Sequence, residues 1–133
     1  MAQVRPTILV IDDDPLIRTL IRTLLSGADY DVLEAYCGAE AFRFAGPIHL
    51  LLCDVRLAGE LGPDVARSLL ARHAGLRVLY ISGSEDARQL LPSGCQFLHK
   101  PFQTEVLLSM VRDLLGQPAD LKAAPPGQQP PAG

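Results

Sequence analysis

Five times along this chain a short apolar, β-prone run is followed by a segment whose apolar residues recur at helical spacing. The runs are "TILVI" (7–11), "DVLEA" (31–35), "IHLLLC" (48–53), "LRVLYI" (76–81) and "CQFLH" (95–99). The intervening segments, 15–27, 38–45, 63–73, 84–91 and 103–115, read as helices. Strands that are apolar nearly throughout are covered on both faces. Such strands alternating with helices give a parallel sheet between two helical layers. Right-handed crossovers leave few arrangements. The expectation is an α/β, doubly wound (βα)5 domain whose five parallel strands lie in the order 2-1-3-4-5, with its ligand site outside the strands' carboxyl ends.

Local signals refine this frame. In the first helix Leu16, Ile17, Leu20, Ile21, Leu24 and Leu25 form the expected inward face, with Arg18, Arg22 and Thr23 off it, and Gly27 ends it. Asp14 before Pro15 reads as an N-cap with proline at the first helical position, and Pro63 starts the third helix likewise. The second helix closes at Gly46-Pro47, and Pro92 stops the fourth. The last helix turns Val106, Leu107, Met110, Val111 and Leu114 inward. "VRLAGELG" (55–62) reads as a mobile loop.

The chain has 133 residues, enough for one domain, placed at 1–116. From 117 the sequence turns to Pro, Gln, Gly and Ala, expected to be a disordered tail or a linker (117–133). The net charge of −3 supplies no basic field for nucleic acid or anionic lipid. Cys37, Cys53 and Cys95 are odd in number and widely spaced, which argues against a disulfide framework or zinc site and fits a reducing cytoplasm. No run is long enough for a signal-peptide core or a membrane span.

The chemistry collects at the strand ends. Strand one delivers Asp12 and Asp13, strand three Asp54, strand four Ser82 and strand five Lys100. In the expected order these converge on one edge of one sheet. Three oxygen acids suit a hard divalent cation, Mg2+ or Mn2+, which neutralises carboxylates that otherwise repel. One carboxylate is then free to attack a phosphoryl group, with Lys100 and Ser82 holding the other oxygens. Simpler roles compete. Ser82 with Glu85 has a capping-box pattern, Phe97 sits where an aromatic is ordinarily core, and Cys53 reads as a small buried residue. His49, His73 and His99 have no ligand-like spacing.

Taken together, "ILVIDDDP", "LLCDVRL", "YISGSE" and "HKPF" resemble the receiver domains of bacterial two-component response regulators, over about residues 6–116. The resemblance implies a flavodoxin-like fold and assigns roles. Asp54 would accept a phosphoryl group from the phosphohistidine of a sensor histidine kinase or phosphotransfer protein. Asp13 would bind magnesium directly and Asp12 through water, with the main-chain carbonyl of Arg56 as a further ligand. Ser82 and Lys100 would hold the phosphoryl oxygens, Lys100–Pro101 would be a cis peptide, and Phe97 would be the rotating switch aromatic. The chain would be a signalling domain rather than an enzyme on an external substrate.

The segment from Ser82 to Lys100 is short for the family, so the face built from helix 4, strand 5 and helix 5, where relatives signal and dimerise, is altered here. Ala58 replaces a frequent proline. With no recognisable output sequence, the expectation is a stand-alone receiver acting on an unidentified downstream protein, with a homodimer through the altered face as a further partner. Two alternatives remain: a pseudo-receiver that binds without phosphorylation, and a small aspartate-nucleophile phosphatase, for which "DDDPL" supplies the Asp-x-Asp.

Overall fold

The computed structural model describes residues 5–116; the Pro/Gln-rich segment 117–133 lies outside the described residues. The order of elements is β1 (Thr7–Ile11), α1 (Pro15–Gly27), β2 (Asp31–Ala35), α2 (Gly38–Ala41), β3 (Leu50–Asp54), β4 (Arg56–Leu57), β5 (Glu60–Leu61), α3 (Gly62–Leu70), β6 (Arg77–Ser82), a 3-10 helix (Glu85–Leu90), β7 (Gln96–His99) and α4 (Thr104–Gly116). Five strands form a parallel sheet in the order β2-β1-β3-β6-β7. This is the 2-1-3-4-5 order once the β4–β5 hairpin is set aside.

Alternate residues of the central strands feed two cores. Leu9, Ile11, Leu51, Cys53 and Tyr80 face α2, α3 and the 3-10 helix, where Ala41, Val65, Ala66, Leu69 and Ala87 meet them. Ile8, Val10, Leu50, Leu52, Leu79 and Ile81 face α1 and α4, against Ile21, Leu25, Leu107, Val111 and Leu114. Burial on both faces is why these strands read as continuous apolar runs.

Several expectations need correction. Leu16, Leu20 and Val106 do not face inward; they are 80%, 47% and 41% exposed. At about 100° per residue, positions 16, 17, 20, 21, 24 and 25 span roughly half the helix circumference. The sheet covers the part centred on Ile21, and Leu16 and Leu20 fall on the far side of that arc.

The segment 84–91 forms a 3-10 helix rather than an α-helix. Only thirteen residues separate β6 from β7. A 3-10 helix rises about 2.0 Å per residue against about 1.5 Å for an α-helix, so a short crossover gains reach by tightening. The second helix ends at Ala41 and is followed by turns, including Arg43 N–H to Glu40 O and Phe44 N–H to Ala41 O. Residues 55–62 are not one mobile loop. They hold the antiparallel β4–β5 hairpin, which turns at Gly59 with a φ of 78° and passes into α3 at Gly62. Gly27 ends α1 as expected, and the positive φ, 73°, falls on Asp29 in the turn that follows.

Candidate functional site

Register builds the site. Ile11 pairs with Cys53, so Asp12 stands level with Asp54, one step along. Asp54 pairs with Ile81, so Ser82 lies just beyond it. Ser82 pairs with His99, and Lys100 follows. The main chain ties this edge together: Lys100 N–H donates to Ser82 O at 2.8 Å, Val55 N–H to Ile81 O at 3.1 Å, and Asp12 N–H to Ala35 O at 3.2 Å.

The three adjacent aspartates have three environments. Asp14 caps α1, its Oδ1 accepting from Leu16 N–H at 2.9 Å. Asp12 is buried; its Oδ1 accepts from Asp14 N–H at 2.9 Å, its carbonyl from Arg18 Nη1 at 2.7 Å, and its Oδ2 from Lys100 Nζ at 3.0 Å. Asp13 is exposed. Asp54 accepts from Lys100 Nζ at 3.2 Å through Oδ2, and from Arg56 N–H at 3.4 Å through Oδ1.

Carboxylate oxygens of Asp12, Asp13 and Asp54 lie within 4.8 Å of one another. Two ligands on opposite sides of one magnesium ion are about 4.2 Å apart. The set therefore fits one hard cation bound partly directly and partly through water. It is made of oxygen only, as magnesium or manganese prefers.

Lys100 sits between Asp12 and Asp54 with its side chain 19% exposed, and acts as the fixed counter-ion of the cluster. Burial pushes the Asp54 carboxyl above its ordinary value; Lys100 pulls it back, and the neighbouring Asp12 charge pushes it up again. Lys100 is held above the usual ammonium range: burial works against its charge, but the bonds and charges of Asp12 and Asp54 together outweigh it.

Ser82 is buried, and its Oγ accepts from Ser84 N–H at 3.1 Å. The capping position before the 3-10 helix is Ser84, whose side chain makes no capping bond and instead bonds Asp86. Since Ser82 Oγ is an acceptor here, its own hydrogen remains available to donate. Lys100–Pro101 is cis. Phe97 is partly buried against the α3-side core, with the Arg88 guanidinium 5.2 Å from its ring centroid. Cys53 is fully buried, its thiol bonded to Asp54 O at 3.3 Å.

Some supporting residues carry no motif. Arg18, which holds the Asp12 carbonyl, is paired with Glu34 at 3.3 Å, and Glu34 also takes Arg22 at 2.7 Å. Arg56 reaches Asp86 at 3.7 Å, linking the hairpin to the 3-10 helix across the edge of the site. Glu60 Oε2 accepts from Gly38 N–H at 2.7 Å and fixes the hairpin to α2.

The model of the response regulator receiver domain family matches residues 8–112, and the chain belongs to that family. It is 31% identical over 120 residues to the transcriptional regulatory protein AruR of Pseudomonas aeruginosa, covering 83% of this chain and 49% of that protein. It is 30% identical over 117 residues to the sensor kinase CckA of Brucella abortus, covering 82% of this chain and 12% of that protein. The chain thus spans half or less of the length of these two relatives. Among solved structures, the response regulator protein TrrA of Thermotoga maritima in complex with Mg2+-BeF superposes with a TM-score of 0.74 at 27% identity, covering 83% of this chain and 99% of that one. Among the described residues no helix is long and apolar enough to cross a membrane.

Proposed function

We propose that this receiver domain is a phosphorylation switch with Asp54 as its acceptor and that its partner upstream is a sensor histidine kinase or phosphotransfer protein. The observation that carries the reading is the bridging of Asp12 and Asp54 by Lys100 Nζ, beside a third carboxylate at the same sheet edge. An Asp54 oxygen attacks the phosphorus of a phosphohistidine in line. The new O–P bond forms as the P–N bond breaks, and the imidazole leaves with the electron pair and takes up a proton.

Lys100 turns from the Asp54 carboxylate to a phosphoryl oxygen, and the Ser82 hydroxyl donates to another. A magnesium or manganese ion held by Asp12, Asp13, Asp54 and the Arg56 carbonyl supplies charge neutralisation at the phosphoryl oxygens. Hydrolysis of the aspartyl phosphate by water resets the domain, so it assists its own chemistry without turning over an external substrate. Movement of Ser82 toward the phosphoryl group would loosen the Ser84 turn and let Phe97 change rotamer. This re-shapes the surface of β7, α4 and the 3-10 helix for an unidentified protein partner or a second copy of the chain.

The test is intact mass after incubation with magnesium and acetyl phosphate. The expected result is one added phosphoryl group in the wild type and none in Asp54→Asn. Absence of the adduct in folded wild type, with a phosphorylated kinase as donor as well, would overturn the switch in favour of a receiver that binds without phosphorylation.

A further inference from the structure

Arg18 is the fourth residue of α1, close to the helix's N-terminal end, where a cation opposes the helix dipole. Two acceptors hold it there. Its Nη1 donates to the main-chain carbonyl of Asp12 at 2.7 Å, and its Nε to Glu34 Oε1 at 3.3 Å. Glu34 lies on β2 beside Ala35, whose carbonyl accepts from Asp12 N–H at 3.2 Å. Asp12 is therefore fixed on both sides of its Cα: its N–H by β2, and its carbonyl by a side chain that β2 holds in turn. The Arg18 side chain is only 19% exposed, so little water competes for these bonds.

The Asp12 carbonyl shares a rigid peptide plane with the Asp13 N–H. Holding one end of that plane sets where the Asp13 Cα stands, and with it the origin of the Asp13 side chain. No hydrogen bond or ion pair among the described residues holds the exposed Asp13 carboxylate itself. Its place within 4.8 Å of the Asp12 and Asp54 oxygens depends on the backbone.

Two simpler roles fit less well. An arginine that only neutralised the acids would pair with Asp12, Asp13 or Asp14, but the ion pair of Arg18 is with Glu34. A tie between α1 and β2 is already supplied by Arg22, which meets the same Glu34 at 2.7 Å. What Arg18 adds is the bond to the Asp12 carbonyl.

We infer that Arg18, held by Glu34, is a positioning residue for the metal ligands Asp12 and Asp13, and that the stiffness it gives them makes the site select magnesium over calcium. The inference rests on the metal set of the proposed switch. Magnesium demands near-ideal octahedral geometry, whereas calcium accepts variable ligand sets. A loosened Asp12–Asp13 peptide therefore weakens magnesium binding and spares calcium. Loss of a nearby positive charge acts the other way and tightens both ions alike.

The experiment is amide NMR of the unphosphorylated full chain, titrated in parallel with magnesium chloride and calcium chloride. In Arg18→Met, which keeps the apolar stem, the magnesium dissociation constant should rise about tenfold, as loss of a support behind metal ligands ordinarily costs; the calcium constant should not rise. Arg18→Lys keeps the charge and the pairing with Glu34, and covers a failure of Arg18→Met to fold. One ammonium cannot reproduce the two-acceptor fork, so the preference for magnesium should fall here too, with the Tm near that of wild type. Arg22→Met, the control, should leave the preference unchanged. An unchanged magnesium-to-calcium ratio in a folded Arg18 variant, tightening of both ions, or an equal fall in Arg22→Met would overturn the inference with the metal set intact. A wild type that binds neither ion would overturn the metal set and the inference together, while acetyl phosphate labelling reads the switch separately.

Discussion

Gly62 is where fold and site constrain each other most tightly, and replacing it with alanine tests both. Gly62 opens α3 with no left-handed φ, so what it supplies is space. A Cβ there would lie 2.1 Å from Asp54 O and 3.1 Å from Cys53 Sγ. To restore ordinary contact, the start of α3 must retreat by about 1.3 Å from the end of β3. That retreat lengthens the 2.7 Å bond from Gly62 N–H to Val55 O, a loss of ~1 kcal/mol. It also drags Val65, Ala66 and Leu69 out of the α3-side core, for which forced repacking costs ~1–3 kcal/mol. Alanine's better helix propensity returns up to ~1 kcal/mol. The net expectation is a loss of ~2–3 kcal/mol, or ~8–12 °C in Tm for a domain this size. Gly27→Ala is the control: Gly27 is also helical, has no positive φ and has nothing within 4 Å of its Cβ position, so this variant should gain up to ~1 kcal/mol. Thermal melts by circular dichroism read both, and acetyl phosphate labelling should slow in Gly62→Ala because the displaced carbonyl belongs to Asp54. A Gly62→Ala protein that melts within about 2 °C of wild type would refute the packing argument.

Asp54→Asn should raise the Tm of the metal-free protein at neutral pH. The folded state raises this carboxyl above its ordinary value, chiefly by burial. Stability is therefore complete at pH below the unfolded value and lost as pH rises toward the folded one, so the advantage of Asn should vanish in melts near pH 4. Magnesium should reverse the ranking, stabilising wild type by about 1.4 kcal/mol at a tenfold excess over Kd; melts titrated with magnesium report this, and an equal gain in Asp54→Asn would contradict the metal set. Cys53 should resist a thiol reagent at pH 8 while Cys37 and Cys95 react. Cys53 is fully buried, and that burial, with the Asp54 and Asp12 charges, pushes its thiol far up; two labelled thiols in the native protein and three in denaturant is the expected count. On α1, Leu16→Ser and Leu20→Ser should each change stability by no more than ~0.5 kcal/mol, whereas Ile21→Ala, at a fully buried position, should cost ~2–5 kcal/mol in urea unfolding.

How much of this was legible in the residues follows from what period and spacing encode. The sheet was readable because β1, β3 and β6 are buried on both faces, and a five-residue apolar run admits little else. The strand-end residues were readable because register is a consequence of topology: once β1 lies beside β3, Asp12 must stand beside Asp54. Leu16 and Leu20 were misread because periodicity reports an apolar arc and not how much of that arc the sheet can cover. The β4–β5 hairpin and Gly62 were hidden for a different reason. Two-residue strands have no period, and a close approach of Gly62 to Asp54 O exists only after α3 has docked. Glu34, Arg18 and Arg22 form their cluster across α1 and β2 and leave no local signature.

Three consecutive acids at the end of a buried strand are tolerated because each is answered by a different group. Asp14 is answered by the amide at the start of α1, and Asp12 by Lys100 and the turn amide of Asp14. Asp13 is left in solvent. Asp54, across the sheet, shares its lysine with Asp12 and keeps an uncompensated share of its burial cost. That residual cost is what a divalent cation would relieve, and on the proposed reading phosphorylation of Asp54 would remove the carboxylate charge that Lys100 holds. The ammonium would then be free to follow the phosphoryl oxygens, while its backbone stays bonded to Ser82. That bond joins the main chain of Lys100, which follows β7, to the end of β6, so the lysine stem is anchored to the strands that carry Ser82 and Phe97. A site left partly unsatisfied at rest is more responsive than one fully neutralised, since the same imbalance that lowers stability supplies the difference between the two states.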